Sequence, residues 1–201
     1  MTPLAYVTEP GDRLSVPTEA LRRMQAFVNT NDIEEERDEL GTPAKLRQWL
    51  AAEGTAVSEP VISPEAHRRA VAVREGLRAL GRANNGEGLT ADEEEELQAF
   101  NAAAAELPLL GSVRSVDTWE LRSATGGVNG YLAEIVATLM SAMADGSWSR
   151  MKACRNDTCR WLFYDHSRNR SGMWCSMAVC GSRLKARAYR ARRRQAETAQ
   201  A

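Results

Sequence analysis

Four cysteines fall within 27 residues: Cys154, Cys159, Cys175 and Cys180. Their pattern is C-x4-C-x15-C-x4-C. Two close pairs of thiolates match a tetrahedral zinc ion, which takes four ligands in a closed structural site. Each short pair closes a small loop cheaply, and the 15-residue spacer lets the pairs meet. No cysteine is left over. A four-thiolate site has no open position for substrate water, so the pattern predicts one structural Zn2+ with no catalytic role. Two disulfides or a thiol redox switch are the alternatives. Disulfides are rare in a reducing cytosol, while low-pKa thiols beside arginines are oxidisable. His166 lies between the pairs; with four thiols available it reads as a surface or packing residue. His67 sits on a charged helix face and is assigned no role.

The residues after Cys180 supply a second chemistry. At about 100° per residue, Arg183, Arg187, Arg190 and Arg194 share one helix face. Leu184, Ala188 and Ala191 form a narrow apolar stripe beside it, and Lys185, Arg192 and Arg193 add charge elsewhere. Like charges at i,i+4 repel, a cost that an anionic partner would offset. Arg155, Arg160, Arg168 and Arg170 extend the positive surface around the cysteines. Guanidinium groups suit phosphate and guanine edges. Candidate nucleic-acid contacts are therefore Arg168, Arg170, Arg183, Lys185, Arg187, Arg190 and Arg194.

Local signals predict the elements that position these residues. Met151, Lys152 and Ala153 lead into the first cysteine pair, and Trp161, Leu162, Phe163 and Tyr164 read as the returning strand of a zinc-knuckle hairpin. A helix then donates the second pair from its start, where the dipole favours thiolate charge. Hairpin plus helix is a treble-clef-like arrangement. Upstream, Thr18 is an N-cap for a helix through Leu21, Met24, Phe27 and Val28. Residues 29–41 are polar and read as a loop. Thr42-Pro43 and Ser63-Pro64 each pair an N-cap hydroxyl with Pro at N1. The first of these helices carries Leu46, Trp49 and Leu50 inward; the second uses Ala70, Val73, Leu77 and Leu80 and ends before Asn84-Asn85-Gly86. Thr90 with Glu93 forms a capping box, and the acidic run from Glu93 to Glu96 lies in the first turn of that helix. Residues 112–125 alternate apolar and polar around Asp117-Thr118 and predict a short hairpin. Residues 131–144, with Leu132, Ile135, Val136, Leu139, Met140 and Met143, predict the central buried helix, ended by Asp145-Gly146. The fold class is α+β, mainly α: a helical N-terminal domain with a small hairpin over residues 1–147, and the treble-clef-like finger over residues 148–201.

Charge separates the same two parts. The formal net charge of the 201 residues is -1. Before residue 150 there are 13 basic and 24 acidic side chains; from Arg150 onward there are 13 basic and 3 acidic. A balance of -11 thus meets one of +10, an asymmetry that points to an anionic partner. No stretch reaches the roughly 20 apolar residues that span a bilayer. Residues 1–10 contain no basic residue and no apolar run, so they do not read as a signal peptide. A cytoplasmic, nucleoid-associated protein is expected, and the N-x-[ST] sequons at Asn156 and Asn169 are then chance matches. The sequence holds no Ser-His-Asp arrangement, no Gly-rich phosphate loop and two histidines, so no enzyme is expected.

At these residues the sequence resembles the CGNR zinc-finger family of bacterial transcription regulators, whose members carry an N-terminal ABATE domain. The resemblance rests on Cys154-Arg155-Asn156-Asp157-Thr158-Cys159-Arg160-Trp161, on Trp174-Cys175-Ser176-Met177, and on Cys180-Gly181-Ser182-Arg183 with Lys185-Ala186-Arg187. The family signature is Cys-Gly-Asn-Arg; here Ser182 stands in place of the asparagine and keeps a hydroxyl for hydrogen bonding at the helix start. Phe27-Val28-Asn29-Thr30, Asp38-Glu39-Leu40 and residues 43–50 are similar to the ABATE opening. The resemblance implies zinc binding and DNA binding in transcription control.

The combined expectation is a zinc-binding, DNA-binding transcriptional regulator whose Arg-rich C-terminal helix contacts nucleic acid. The alternative is a zinc-dependent protein-interaction module, or a thiol redox sensor, whose basic helix docks on an acidic partner. That partner extends to the chain's own acidic body. The reading leaves room for a small-molecule or protein effector at the N-terminal domain, and for a homodimer.

Overall fold

The first four helices start at side-chain oxygens that accept orphan amides. In the computed structural model, which describes residues 17–57, 60–86, 88–116, 118–183, 185–186, 189–190 and 192, helix α1 (Glu19–Val28) begins at Thr18, whose Oγ1 accepts from the Leu21 amide at 3.3 Å. Helix α2 (Pro43–Ala52) is capped by Thr42 and α3 (Pro64–Ala83) by Ser63, each followed by Pro. Helix α4 (Ala91–Ala105) opens with the Thr90–Glu93 capping box. The inward faces follow the apolar spacing: Leu21, Met24, Phe27 and Val28, Leu46 and Leu50, and Ala70, Val73 and Leu77 are buried, while Trp49 and Leu80, also expected inside, are partly buried against the core.

Helix α5 (Gly127–Ala144) is the centre of the core, with Leu132, Ile135, Val136 and Leu139 buried. Phe27, Trp49 and Tyr131 meet there with ring centroids 5.5–5.8 Å apart, Tyr131 edge-on to both and Phe27 tilted against Trp49. Met140 and Met143, expected inside, are about half exposed, whereas Leu139 and Ala142 in the same turns are buried, so the two methionines lie on the outward face of α5.

Three antiparallel hairpins complete the α+β fold among the described residues. Strands β3 (Leu109–Ser115) and β4 (Thr118–Ser123) form the expected hairpin against α5. Strands β5 (Met151–Ala153) and β6 (Leu162–Tyr164) form the knuckle hairpin. The third lies inside the segment read as a loop: β1 (Asn31–Asp32) pairs with β2 (Arg37–Asp38). Its sequence has no apolar alternation to announce it. Its base is held from outside, by the Arg74 guanidinium gripping both Asp38 carboxylate oxygens at 2.6 and 3.0 Å.

The knuckle hairpin does not hang from the helical body. Met151, Ala153, Leu162 and Tyr164 are buried in the same core as the helices. Gly81 permits the approach: a Cβ there would sit 2.5 Å from Leu162 Cδ1 and 3.2 Å from the Ala153 amide nitrogen. Among the described residues no helix is long and apolar enough to cross a membrane.

Candidate metal centre and nucleic-acid face

Cys154 and Cys159 sit at the two sides of the β5–β6 turn, where the Cys154 amide donates to Trp161 O at 2.8 Å. Cys175 follows the loop after β6, and Cys180 lies in a single π-type turn, Met177–Gly181. The four sulfurs all lie within 4.8 Å of one another, with Cys159–Cys175 at 3.6 Å and Cys175–Cys180 at 3.7 Å. No pair is bonded as a disulfide. A tetrahedral ion bound at about 2.3 Å by four thiolates holds them about 3.8 Å apart. The quartet therefore fits such an ion in number, donor type and spacing. Cys154, Cys159 and Cys180 are buried and Cys175 is partly exposed.

The electrostatics favour a cation. Hydrogen bonds from Cys159 and Cys175 hold the Cys154 thiol well below its ordinary value, helped by the Cys175 and Asn156 amides. The same contact with Cys154 pushes Cys159 and Cys175 up. Four packed thiols cannot all ionise without a compensating charge, and a bound dication supplies it.

Asn156, dismissed in sequence as a chance sequon, belongs to this centre. It is buried, its Nδ2 donates to Cys180 Sγ at 3.8 Å, and its carbonyl accepts from the amides of Cys159 and Arg160. Such contacts orient the ligands of a metal. Its position two residues after the first cysteine was the available signal. Ser182 donates through Oγ to Met177 O at 3.1 Å, so the serine bonds within the turn that carries Cys180.

Helix α3 locks the centre to the body. Arg78 is 2% exposed; its Nε donates to Glu75, its Nη1 to Arg160 O and its Nη2 to Val28 O. Arg82 bridges buried Glu93 at 2.6 Å and Asp157 of the knuckle at 3.0 Å. Glu93 thus has a role beyond the helix dipole. Asn84 caps the Trp148 and Met151 carbonyls and Asn85 the Ala153 carbonyl, each at 2.8 Å. Asn29 pairs with both the amide and the carbonyl of Leu162, at 2.8 and 2.9 Å. Spacing did not reveal these polar docking groups, because the partners that join the knuckle and α1 to α3 lie 50–133 positions away.

The candidate nucleic-acid residues divide. Arg168 and Arg170 are exposed on the loop after β6. That loop is built on a buried pair, Lys152 Nζ to Asp165 Oδ2 at 2.8 Å, with Asp165 also accepting from the Ser167 and Gly172 amides. Burial opposes the Asp165 charge, yet these donors outweigh it and hold its carboxyl well below the usual carboxylate range. Arg170 donates to Ser149 Oγ at 2.9 Å. Arg183, Lys185 and Arg190 are exposed on the helical segment after the π-type turn, and Arg183 pairs with Glu34. Arg187 and Arg194 lie outside the described residues, as do Leu184, Ala188, Ala191 and Arg193. Arg155 and Arg160 depart from the expected positive surface. Both are half-buried, Arg155 donates to Asn85 O at 2.8 Å, and the Arg160 carbonyl is held by Arg78. The reason is position: both lie on the knuckle where it meets the end of α3. His166 is exposed with its ring on Tyr164, and His67 Nε2 contacts Leu40 O at 2.6 Å.

Two family models match the chain. The ABATE domain, described as "Putative stress-induced transcription regulator", covers residues 21–146. The CGNR zinc finger covers residues 150–193, the segment holding all four cysteines. Comparison with curated proteins gives no match. With more than half of its length under the ABATE model and its thiol cluster under the finger model, the chain belongs to the ABATE family and carries a CGNR zinc finger at its C-terminal side.

Proposed function

We propose that this protein is a DNA-binding transcriptional regulator that holds one structural Zn2+ on Cys154, Cys159, Cys175 and Cys180. The observation that carries the reading is the juxtaposition of a closed four-thiol cluster with exposed cations of one sign: Arg168 and Arg170 on the adjoining loop, and Arg183, Lys185 and Arg190 after the last cysteine. Arg187 and Arg194 belong to the same proposed set. The ion, when bound, crosslinks the knuckle to the start of the basic segment. The chain's own residues do the rest. Asn156 orients Cys180, the Lys152–Asp165 pair shapes the arginine loop, and the guanidinium groups meet phosphates. Four thiolates leave no coordination site for a substrate, so no catalysis is assigned.

The test uses the full chain with a 20-base-pair duplex over a salt series. Log affinity should fall linearly with log salt, with a slope of about -0.9 per phosphate neutralised. Replacing Arg168 and Arg170 by Gln should weaken binding and flatten that slope. Cys175→Ser should lower bound zinc from one per chain to near zero, read by metal analysis. Absence of binding at low salt, or binding indifferent to salt, overturns the DNA reading; a full-length protein without zinc overturns the metal reading.

A further inference from the structure

The β1–β2 hairpin presents three consecutive carboxylates at its tip, Glu34, Glu35 and Glu36, all exposed. Glu36 adopts a left-handed backbone (φ 50°), and Asp32 Oδ1 accepts from the Glu35 amide at 3.2 Å, so the tip is a built turn. Its base is anchored by buried groups. Arg74, 2% exposed, takes Asp38 in a two-pronged grip and also bonds Glu75; the Glu39 amide donates to Thr30 O at 2.9 Å. Arg37, the cation within the hairpin, pairs with Asp32 at 3.8 Å. Glu34 reaches 149 positions along the chain to Arg183, the first cation after the metal cluster.

The two ends of this arrangement differ in exchangeability. In the Arg74–Asp38 pair the arginine side chain is 2% exposed and bonds both carboxylate oxygens and Glu75, so it holds its geometry although Asp38 itself is partly exposed. The Glu34–Arg183 pair has half its arginine side chain and a third of its glutamate side chain in water, so it is weak, screened by salt and replaceable. A firmly mounted carboxylate making a weak bond to a proposed phosphate-binding arginine is a competitor at high local concentration.

We propose that the Glu34–Glu36 tip acts as an internal phosphate surrogate: it occupies Arg183 and is displaced when the basic segment engages a polyanion. The proposal rests on the reading of Arg183 as a phosphate contact. It makes the acidic body a restraint on the finger, with one named contact.

The experiment compares the full-length protein with Glu34→Gln, with Glu34→Gln/Glu35→Gln/Glu36→Gln, and with a charge-matched control, Asp92→Asn/Glu94→Gln/Glu95→Gln on the exposed start of α4. Each is titrated at low salt with duplex DNA and with heparin. Glu34→Gln should tighten both ligands about two- to fivefold, the size an exposed ion pair carries, and the triple variant should tighten them further. The control should gain less, and the Glu34→Gln gain should vanish in an Arg183→Gln background. Equal affinities for wild type and the Glu34 variants on both ligands, or an equal gain in the control, overturn the surrogate. Tightening on heparin with no duplex binding by any variant keeps the surrogate and overturns the DNA reading. No binding of either ligand by any variant overturns both.

Discussion

Arg78 shows what one buried cation does at a junction of three segments. It joins the end of α1, the carboxylate of Glu75 and the knuckle carbonyl of Arg160. Arg78→Met keeps the volume but leaves those acceptors unpaired. The expected loss is about 3 kcal/mol, as for breaking one side of a buried ion pair, read as a lower urea midpoint. Asp165 makes the complementary case for pH. Its carboxyl is depressed in the folded protein, against burial, by Lys152 and the Ser167 and Gly172 amides. A depressed acid stabilises the fold fully above its unfolded value of about 3.9 and loses that contribution as pH falls toward the folded value. The stability gap between wild type and Asp165→Asn should therefore be constant near neutrality and shrink below about pH 4, measured by urea melts at stepped pH.

At the scale of elements, the contact between α3 and the knuckle is decided by a missing methyl group. In Gly81→Ala, overpacking against Leu162 and the Ala153 backbone should cost about 1–3 kcal/mol. The better helix propensity of alanine returns at most about 1 kcal/mol. A net loss of about 1 kcal/mol is expected, with metal content unchanged, because the four thiol positions lie beyond the clash. Thermal melting and zinc analysis on the same sample check both halves. At the neighbouring crossing, Gly76 of α3 lies against Phe100 of α4, where a Cβ would come within 2.3 Å. Helix α3 thus uses small residues on one side for α4 and on another for the knuckle.

For the whole molecule, the finger and the helical body share apolar surface and a polar seam. A fragment of residues 148–201 would expose Met151, Leu162 and Tyr164, which are buried in the intact chain. It would also lose Asn29, Arg78, Asn84 and Asn85 as partners. Such a fragment should still take up metal through its four thiols but self-associate, whereas the full chain should not show that dependence on the exposed face; size-exclusion chromatography at several concentrations distinguishes them. The charge asymmetry acts at this scale too, since the Glu34–Arg183 ion pair joins the acidic hairpin to the basic segment.

Much of the element list was legible because its causes are local. Hydroxyl caps, Pro at N1, apolar spacing and the Asp145-Gly146 stop act within a few residues, so α1 to α4 and the end of α5 follow from sequence alone; α5 starts at Gly127, four residues before the predicted 131, because Gly126 gives it no side-chain cap to read. The cysteine spacing likewise announced the thiol cluster, since both short pairs and the spacer are read directly. What only the tertiary structure decided is where polar side chains go once the chain is compact. Arg74, Arg78, Asn29 and Asn156 look like surface residues in a linear reading. Arg78, Asn29 and Asn156 satisfy backbone groups at the α1, α3 and knuckle junction that their own ladders do not provide for, while buried Arg74 is held by the side chains of Asp38, Glu75 and Thr30. Such a need turns Arg155 toward the Asn85 carbonyl and away from the expected positive face, and the Arg74–Asp38 grip holds in place the hairpin that brings Glu34 to Arg183. Local chemistry is written in neighbouring residues; satisfaction of buried polar groups depends on which distant segments meet, and that is fixed only by the packed fold.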